Sequence, residues 1–135
     1  MTGVRASKRN DGTVLVTVSR RAYPQVVDHW KSQLTGANAR KWGRLWIDPH
    51  APATDERRRD AMWTEGRSTR GLPGFNRDEC PGAMFICETQ EVSHVEVLCA
   101  TQNQAFGRDL YNALRAELGP KSKMGWWEVK FRFVA

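Results

Sequence analysis

Hydrophobic and polar positions fall along the chain in blocks that assign most of its secondary structure. Thr13-Val14-Leu15-Val16-Thr17-Val18 is β-branched and apolar and reads as a strand. Tyr23-Pro24 opens a helix with proline in its first turn; Val26, Val27, Trp30 and Leu34 recur as its buried face, and Gly36 ends it. Arg44-Leu45-Trp46-Ile47-Asp48 reads as a second strand, stopped by Pro49 and Pro52. Thr54 then caps a short charged helix that ends by Gly66, with Asp55 and Glu56 in its first turn where the helix dipole favours them. His94-Val95-Glu96-Val97-Leu98-Cys99 alternates as a third strand. Phe106, Leu110, Leu114 and Leu118 lie at four-residue steps and mark an amphipathic helix, with Asn103 just before it and Gly119-Pro120 stopping it. From Trp127 to Phe133, one face carries Trp127, Val129, Phe131 and Phe133, and the other Glu128, Lys130 and Arg132. Such alternation predicts a half-buried antiparallel strand.

Together these elements predict an α+β domain, a central antiparallel sheet with packed helices, over residues 13–135. Residues 1–12 are polar and basic and read as a flexible segment. From Gly66 to Gly82 the chain is rich in Gly, Pro, Arg and Asn, and so long an irregular stretch points to function. A hydrophobic content of 40% allows a modest core, which six tryptophans enlarge. No apolar run has the length of a membrane span, and Met1 to Thr13 lacks the apolar stretch of a signal peptide. A cytoplasmic protein, or a piece exported within a larger effector, is expected.

The net charge of +6 calls for an anionic partner, and nucleic acid is the commonest. The arginines at 57–59 suit a solvated helix face equally well. Three cysteines, Cys80, Cys87 and Cys99, lack zinc-site spacing. They read as buried free thiols, with a Cys87–Cys99 bridge as the alternative in an exported protein.

Candidate chemistry centres on Arg77-Asp78-Glu79. Two adjacent carboxylates beside an arginine, in a basic chain, can seat metal-assisted or base-assisted attack on a phosphodiester. A surface ion pair from Arg77 to Asp78 or Glu79 fits the residues as well. An extended backbone would send the two carboxylates to opposite sides and so to different roles. Asn103 can cap the following helix or ligate a metal through its carboxamide oxygen. Asn112, opposite the leucine stripe, is either an exposed residue or a ligand projected from the helix. His29, His50 and His94 form no metal pattern; His94, opening a strand, is the one candidate base, against the plainer reading of an ordinary sheet histidine. No phosphate-binding glycine loop, serine nucleophile elbow or dinucleotide fingerprint is present.

Gly74-Phe75-Asn76-Arg77-Asp78-Glu79-Cys80-Pro81-Gly82-Ala83-Met84-Phe85 resembles the signature of the sporulation-type, NucA/NucB-like deoxyribonucleases. That signature runs roughly Gly-Phe-Asp-Arg-Asp-Glu-Tyr-Pro-Pro-Ala-Met-Phe. Val18-Ser19-Arg20-Arg21-Ala22-Tyr23-Pro24 is similar to the family's first strand and Arg-x-Tyr-Pro helix start. Thr101-Gln102-Asn103-Gln104-Ala105-Phe106-Gly107 is similar to its Ser-Asp-Asn-Arg-Gly-Ala-Gly turn. The first motif is fairly specific, the other two weak alone, and order and spacing agree from Val14 to Val134.

The resemblance implies a small non-specific DNA endonuclease with a ββα-metal-like site. An aspartate there replaces the usual histidine base, and one Mg²⁺ or Mn²⁺ polarises the scissile phosphate. It implies Asp78 as base, Glu79 and Arg77 as its supports, and Asn103 and Asn112 as metal ligands, the helix starting after Asn103. DNA is then the partner. Were the chain the C-terminal toxin domain of a secreted effector, an acidic immunity protein would be a second. Cys80 stands for the motif tyrosine, Gly82 for its second proline, Gln102 for an acidic residue and Gln104 for an arginine. Ile86-Cys87-Glu88-Thr89 replaces a Glu-Gly-Gly-type segment. These departures keep open two alternatives: an inactive nucleic-acid-binding module with the nuclease fold, and an RNase.

Overall fold

The computed structural model describes residues 2–49, 73–82, 84–89, 91 and 94–135, without the side chains of Asn76, Arg77, Lys121 and Ser122. The helix expected after Thr54 and the candidate His50 lie outside these residues, as does the Arg77 side chain. The described chain is α+β. Its strands are β1 (Val4–Lys8), β2 (Thr13–Ser19), β3 (Leu45–Ile47), β4 (Phe75–Cys80), β5 (Phe85–Cys87), β6 (His94–Cys99) and β7 (Glu128–Val134). Its α-helices are α1 (Pro24–Leu34), α2 (Ala39–Trp42), α3 (Ala100–Leu118) and α4 (Lys121–Met124).

Five strands form one sheet in the order β1-β2-β7-β3-β5, and β4 and β6 form a separate two-stranded antiparallel ribbon. The main sheet is mixed, where the sequence pattern predicts an antiparallel one. β7 lies parallel to β2, Val14 opposite Val129 and Val18 opposite Phe133, and antiparallel to β3. Alternation reports a half-buried face but not the direction of a neighbour, and the helices between β2 and β7 supply the crossover a parallel pair needs. Residues 1–12, expected to be loosely attached, contain edge strand β1, paired antiparallel with β2 from Val4–Val18 to Lys8–Val14. Val4 is buried, and the Lys8 amide donates to Glu117 of α3.

The inner face of β2 places Val14, Val16 and Val18 in the core at full burial. Val26, Val27 and Trp30 of α1 meet them, with Phe106, Leu110 and Leu114 of α3 completing the layer. Both helices thus bury the stripes their sequences predict. Trp30 makes edge-on contacts with Phe85, Phe106 and Phe131, joining helix, sheet and helix at one point. The β4–β6 ribbon packs against α1 and α3.

Candidate functional site

The motif stretch expected to be irregular forms strand β4 from Phe75 to Cys80. Its register with β6 sets Asp78 opposite Glu96, Glu79 opposite Val95 and Cys80 opposite His94. Pairing across a two-stranded ribbon satisfies its backbone, which a Gly/Pro/Asn-rich composition does not reveal. Cys80, in the position of the motif tyrosine, is fully buried in the main core. The three cysteines are free thiols, so the alternative Cys87–Cys99 bridge does not form.

Asp78 is only 3% exposed, far from the surface ion pair that its neighbours in sequence allow. Its Oδ2 lies 2.6 Å from His29 Nδ1 and accepts the Trp30 Nε1 proton at 3.1 Å. Oδ1 takes only a longer Trp30 contact, at 3.4 Å, among the described residues. Burial pushes the Asp78 carboxyl above its ordinary range, against the opposing pull of the hydrogen bonds from His29 and Trp30. The arrangement follows from α1. Its buried stripe carries His29 beside Trp30, and both turn toward the ribbon that delivers Asp78.

A second imidazole extends the contact. His29 Nε2 lies 2.9 Å from His94 Nδ1, and His94 Nε2 lies 3.9 Å from Glu96 Oε1. Four titratable residues from α1, β4 and β6 thus form a line from buried Asp78 to the partly exposed Glu96. The sequence singles out His94 as the candidate base and gives His29 no role. The available signal was position: His29 is three residues after Val26 and next to Trp30, on the apolar stripe where an unpartnered imidazole would be costly.

Asp78, Glu79 and Asn103 border one cavity of about 240 Å³, walled by Trp30, Gly82, Met84, Phe85, Phe106, Gly107 and Leu110. Asp78 and Glu79 are adjacent residues of β4, and both belong to its lining. Asn103 reaches it from the first turn of α3. Asn112 does not. The expectation that the helix starts after Asn103 fails, because α3 begins at Ala100, directly after β6. Asn103 and Asn112 are both helical, and nine residues at about 100° each set them roughly 180° apart. Asn112 is exposed and does not line the cavity, which removes it from the donor set.

The early start of α3 has a cause outside the helix itself. The side chain of Gln102 accepts the amide proton of Val26 at 2.9 Å, satisfying one of the orphan donors at the start of α1. Reciprocally, Gln25 of α1 accepts the amide proton of Cys99 at 2.8 Å, just before α3. Each helix start is held by a glutamine of the other, so Asn103 does not act as the cap, and α3 has no side-chain cap hydrogen bond. Gln102, a departure from the resembled motif, has a structural role here.

Among the described residues no three His, Cys, Asp or Glu side chains are grouped as a metal centre, and no helix is long and apolar enough to cross a membrane. Comparisons with protein-family models, with curated proteins and with solved structures find no match to this chain.

Proposed function

We propose that the protein is a metal-dependent, non-specific DNA endonuclease whose site is the cavity bordered by Asp78, Glu79 and Asn103. The observation that carries the reading is this convergence: motif carboxylates on β4 and a motif carboxamide on α3, 25 positions apart, border one space. The resemblance of the motifs supports it. So does the net charge of +6, which favours a polyanionic partner.

Asp78 acts as the general base. His29 and Trp30 hold Oδ2, which leaves Oδ1 to take the proton of an attacking water. A carboxyl raised by burial is a better base for that step. Glu79 borders the same space and supports Asp78 there, and Arg77 supplies positive charge for the phosphorane-like transition state. The cavity's oxygen donors suit a hard cation, Mg²⁺ or Mn²⁺; Asn103 would hold it, with water completing its shell. When bound it supplies Lewis-acid charge against the scissile phosphate. An enzyme of this kind carried as an effector domain calls for a neutralising partner, and an acidic immunity protein has the complementary charge.

Plasmid nicking with and without EDTA, run beside RNA digestion, tests the reading. EDTA-sensitive nicking of DNA is expected. Binding without cleavage in Mg²⁺ and in Mn²⁺ would instead establish a non-catalytic module, and digestion of RNA alone an RNase.

A further inference from the structure

Gly107 is the eighth of the 19 residues of α3. Inside a helix, glycine lowers the folded-to-unfolded ratio about two- to fivefold relative to alanine, because its backbone loses more freedom on folding. The fold gives no reason for that loss. The backbone at Gly107 is helical, so no left-handed conformation requires glycine, and the helix does not end there but runs on to Leu118. No neighbour crowds the position either. A Cβ added there meets, beyond the helix's own backbone, no atom within 4 Å among the described residues.

What distinguishes the position is its place. Gly107 is exposed, and it borders the cavity shared by Asp78, Glu79 and Asn103. Gly82 borders the same cavity, but a Cβ there would rest on the Trp30 ring at 3.4 Å. At Gly107 it would project into open space. Along a helix each Cα–Cβ bond leans toward the N-terminus, so a side chain covers the turn before its own. The turn before Gly107 carries Asn103, four residues back on the same face. Any side chain at position 107 would therefore lie across the α3 wall of the cavity.

We propose that Gly107 is a clearance position, across which the sugar-phosphate backbone of a DNA strand passes α3 to reach the cavity. The inference rests on reading that cavity as a nuclease site and adds the path of the substrate into it. Glycine is the residue that lets a ligand approach a main chain closely. The size of the cavity fits a backbone rather than a base: about 240 Å³ is below the ~300–1,000 Å³ of pockets that enclose whole small molecules. A phosphodiester enters, and the bases stay outside. Contact with the backbone alone carries no sequence information, which agrees with non-specific cleavage.

Gly107→Ala and Gly107→Leu in the full chain test the inference, with Asn112→Leu on the opposite face as control. Urea melts should show both Gly107 variants folded and more stable, the folded-to-unfolded ratio rising about two- to fivefold for alanine. Nicking should move the other way. Its kcat/KM should fall about threefold in Gly107→Ala and about tenfold or more in Gly107→Leu, while Asn112→Leu stays within about twofold. Unchanged nicking in Gly107→Leu would overturn the clearance role and leave the nuclease reading intact. Lower stability in both Gly107 variants would overturn the open space on which the role depends. A readout without cleavage separates the two readings: a short DNA duplex titrated with Mg²⁺ into ¹⁵N-labelled Asp78→Asn protein. The amides of α3 around Gly107 should shift, and should no longer do so when Gly107→Leu is added. If the wild type nicks no DNA and these shifts behave as stated, the clearance role stands and the cleavage reading alone falls. Amides around Gly107 that ignore the duplex, or that still respond with Gly107→Leu added, would overturn the clearance role whether or not DNA is cut.

Discussion

Asp78→Asn separates the chemistry of the carboxylate from the hydrogen bonds that hold it. Its amide oxygen, set in the place of Oδ2, accepts from His29 and Trp30, which lie 2.6 and 3.1 Å away. The amide nitrogen replaces Oδ1, and only the 3.4 Å Trp30 contact is given up. Asp78→Ala is a poorer test. It removes the acceptor of two buried donors, and each orphaned donor costs about 1–3 kcal/mol. The sum, roughly 2–6 kcal/mol, consumes much of the ~5–15 kcal/mol by which a domain is stable. The Ala variant should therefore melt on the order of 10 °C lower, and its inactivity would say little about catalysis. The Asn variant should fold, by circular dichroism and urea melts, and lose about 10²–10⁴-fold in nicking rate.

Asp78→Asn should also change how stability depends on pH. Burial raises the folded-state pKa of the Asp78 carboxyl above its unfolded value. The folded protein thus binds that proton more tightly. The stability this contributes is fully present below the unfolded pKa, ~3.9, and is lost as pH rises through the folded pKa. Asparagine has nothing to titrate, so its stability relative to wild type should rise over that window and level off above it. Urea melts of both proteins at pH 4 and pH 7 measure the difference. Equal differences at the two pH values, or near-wild-type nicking by a folded Asp78→Asn, would refute the reasoning.

On the helix, Asn103→Ala should weaken Mg²⁺-dependent nicking by about tenfold or more, while Asn112→Ala, exposed on the opposite face, should stay within about twofold; equal losses would return Asn112 to the site. DNA binding should show no sequence preference and fall steeply from 50 to 200 mM salt, and a flat salt response would exclude a phosphate-backbone mode. Thiol labelling of the native protein should find Cys99 first, with Cys80 and Cys87 reacting only on unfolding, because both are buried; rapid labelling of all three would contradict the packing.

The legible parts of the chain were those whose signal is local. The stripes Val26, Val27, Trp30 and Phe106, Leu110, Leu114 are periodic, and both helices bury them. β6 was bounded correctly from alternation alone. The missed parts depend on partners remote in sequence. β1 is a strand because β2 offers it an edge, and β4 is one because β6 does. β7 runs parallel to β2 because of the route taken by the chain between them, which no property of Glu128–Val134 records. The start of α3 was misplaced for the same reason: the glutamine exchange between Gln25 and Gln102 spans two helices, whereas a cap at Asn103 would have been a local signal.

The site shows the same division with a chemical consequence. The motif points to Asp78 but not to its surroundings, which are set by burial and by His29, 49 positions earlier in the chain. In isolation the motif equally allows a solvated carboxylate paired with Arg77. The fold instead buries the carboxyl at 3% exposure and sets it against the His29 imidazole and the Trp30 indole. Burial raises its basicity, and the hydrogen bonds that make burial tolerable lower it. A carboxyl held this way depends on α1 as much as on its own strand. A change at His29 or Trp30 that leaves the carboxylate motif intact is therefore expected to alter the rate as strongly as a change within the motif.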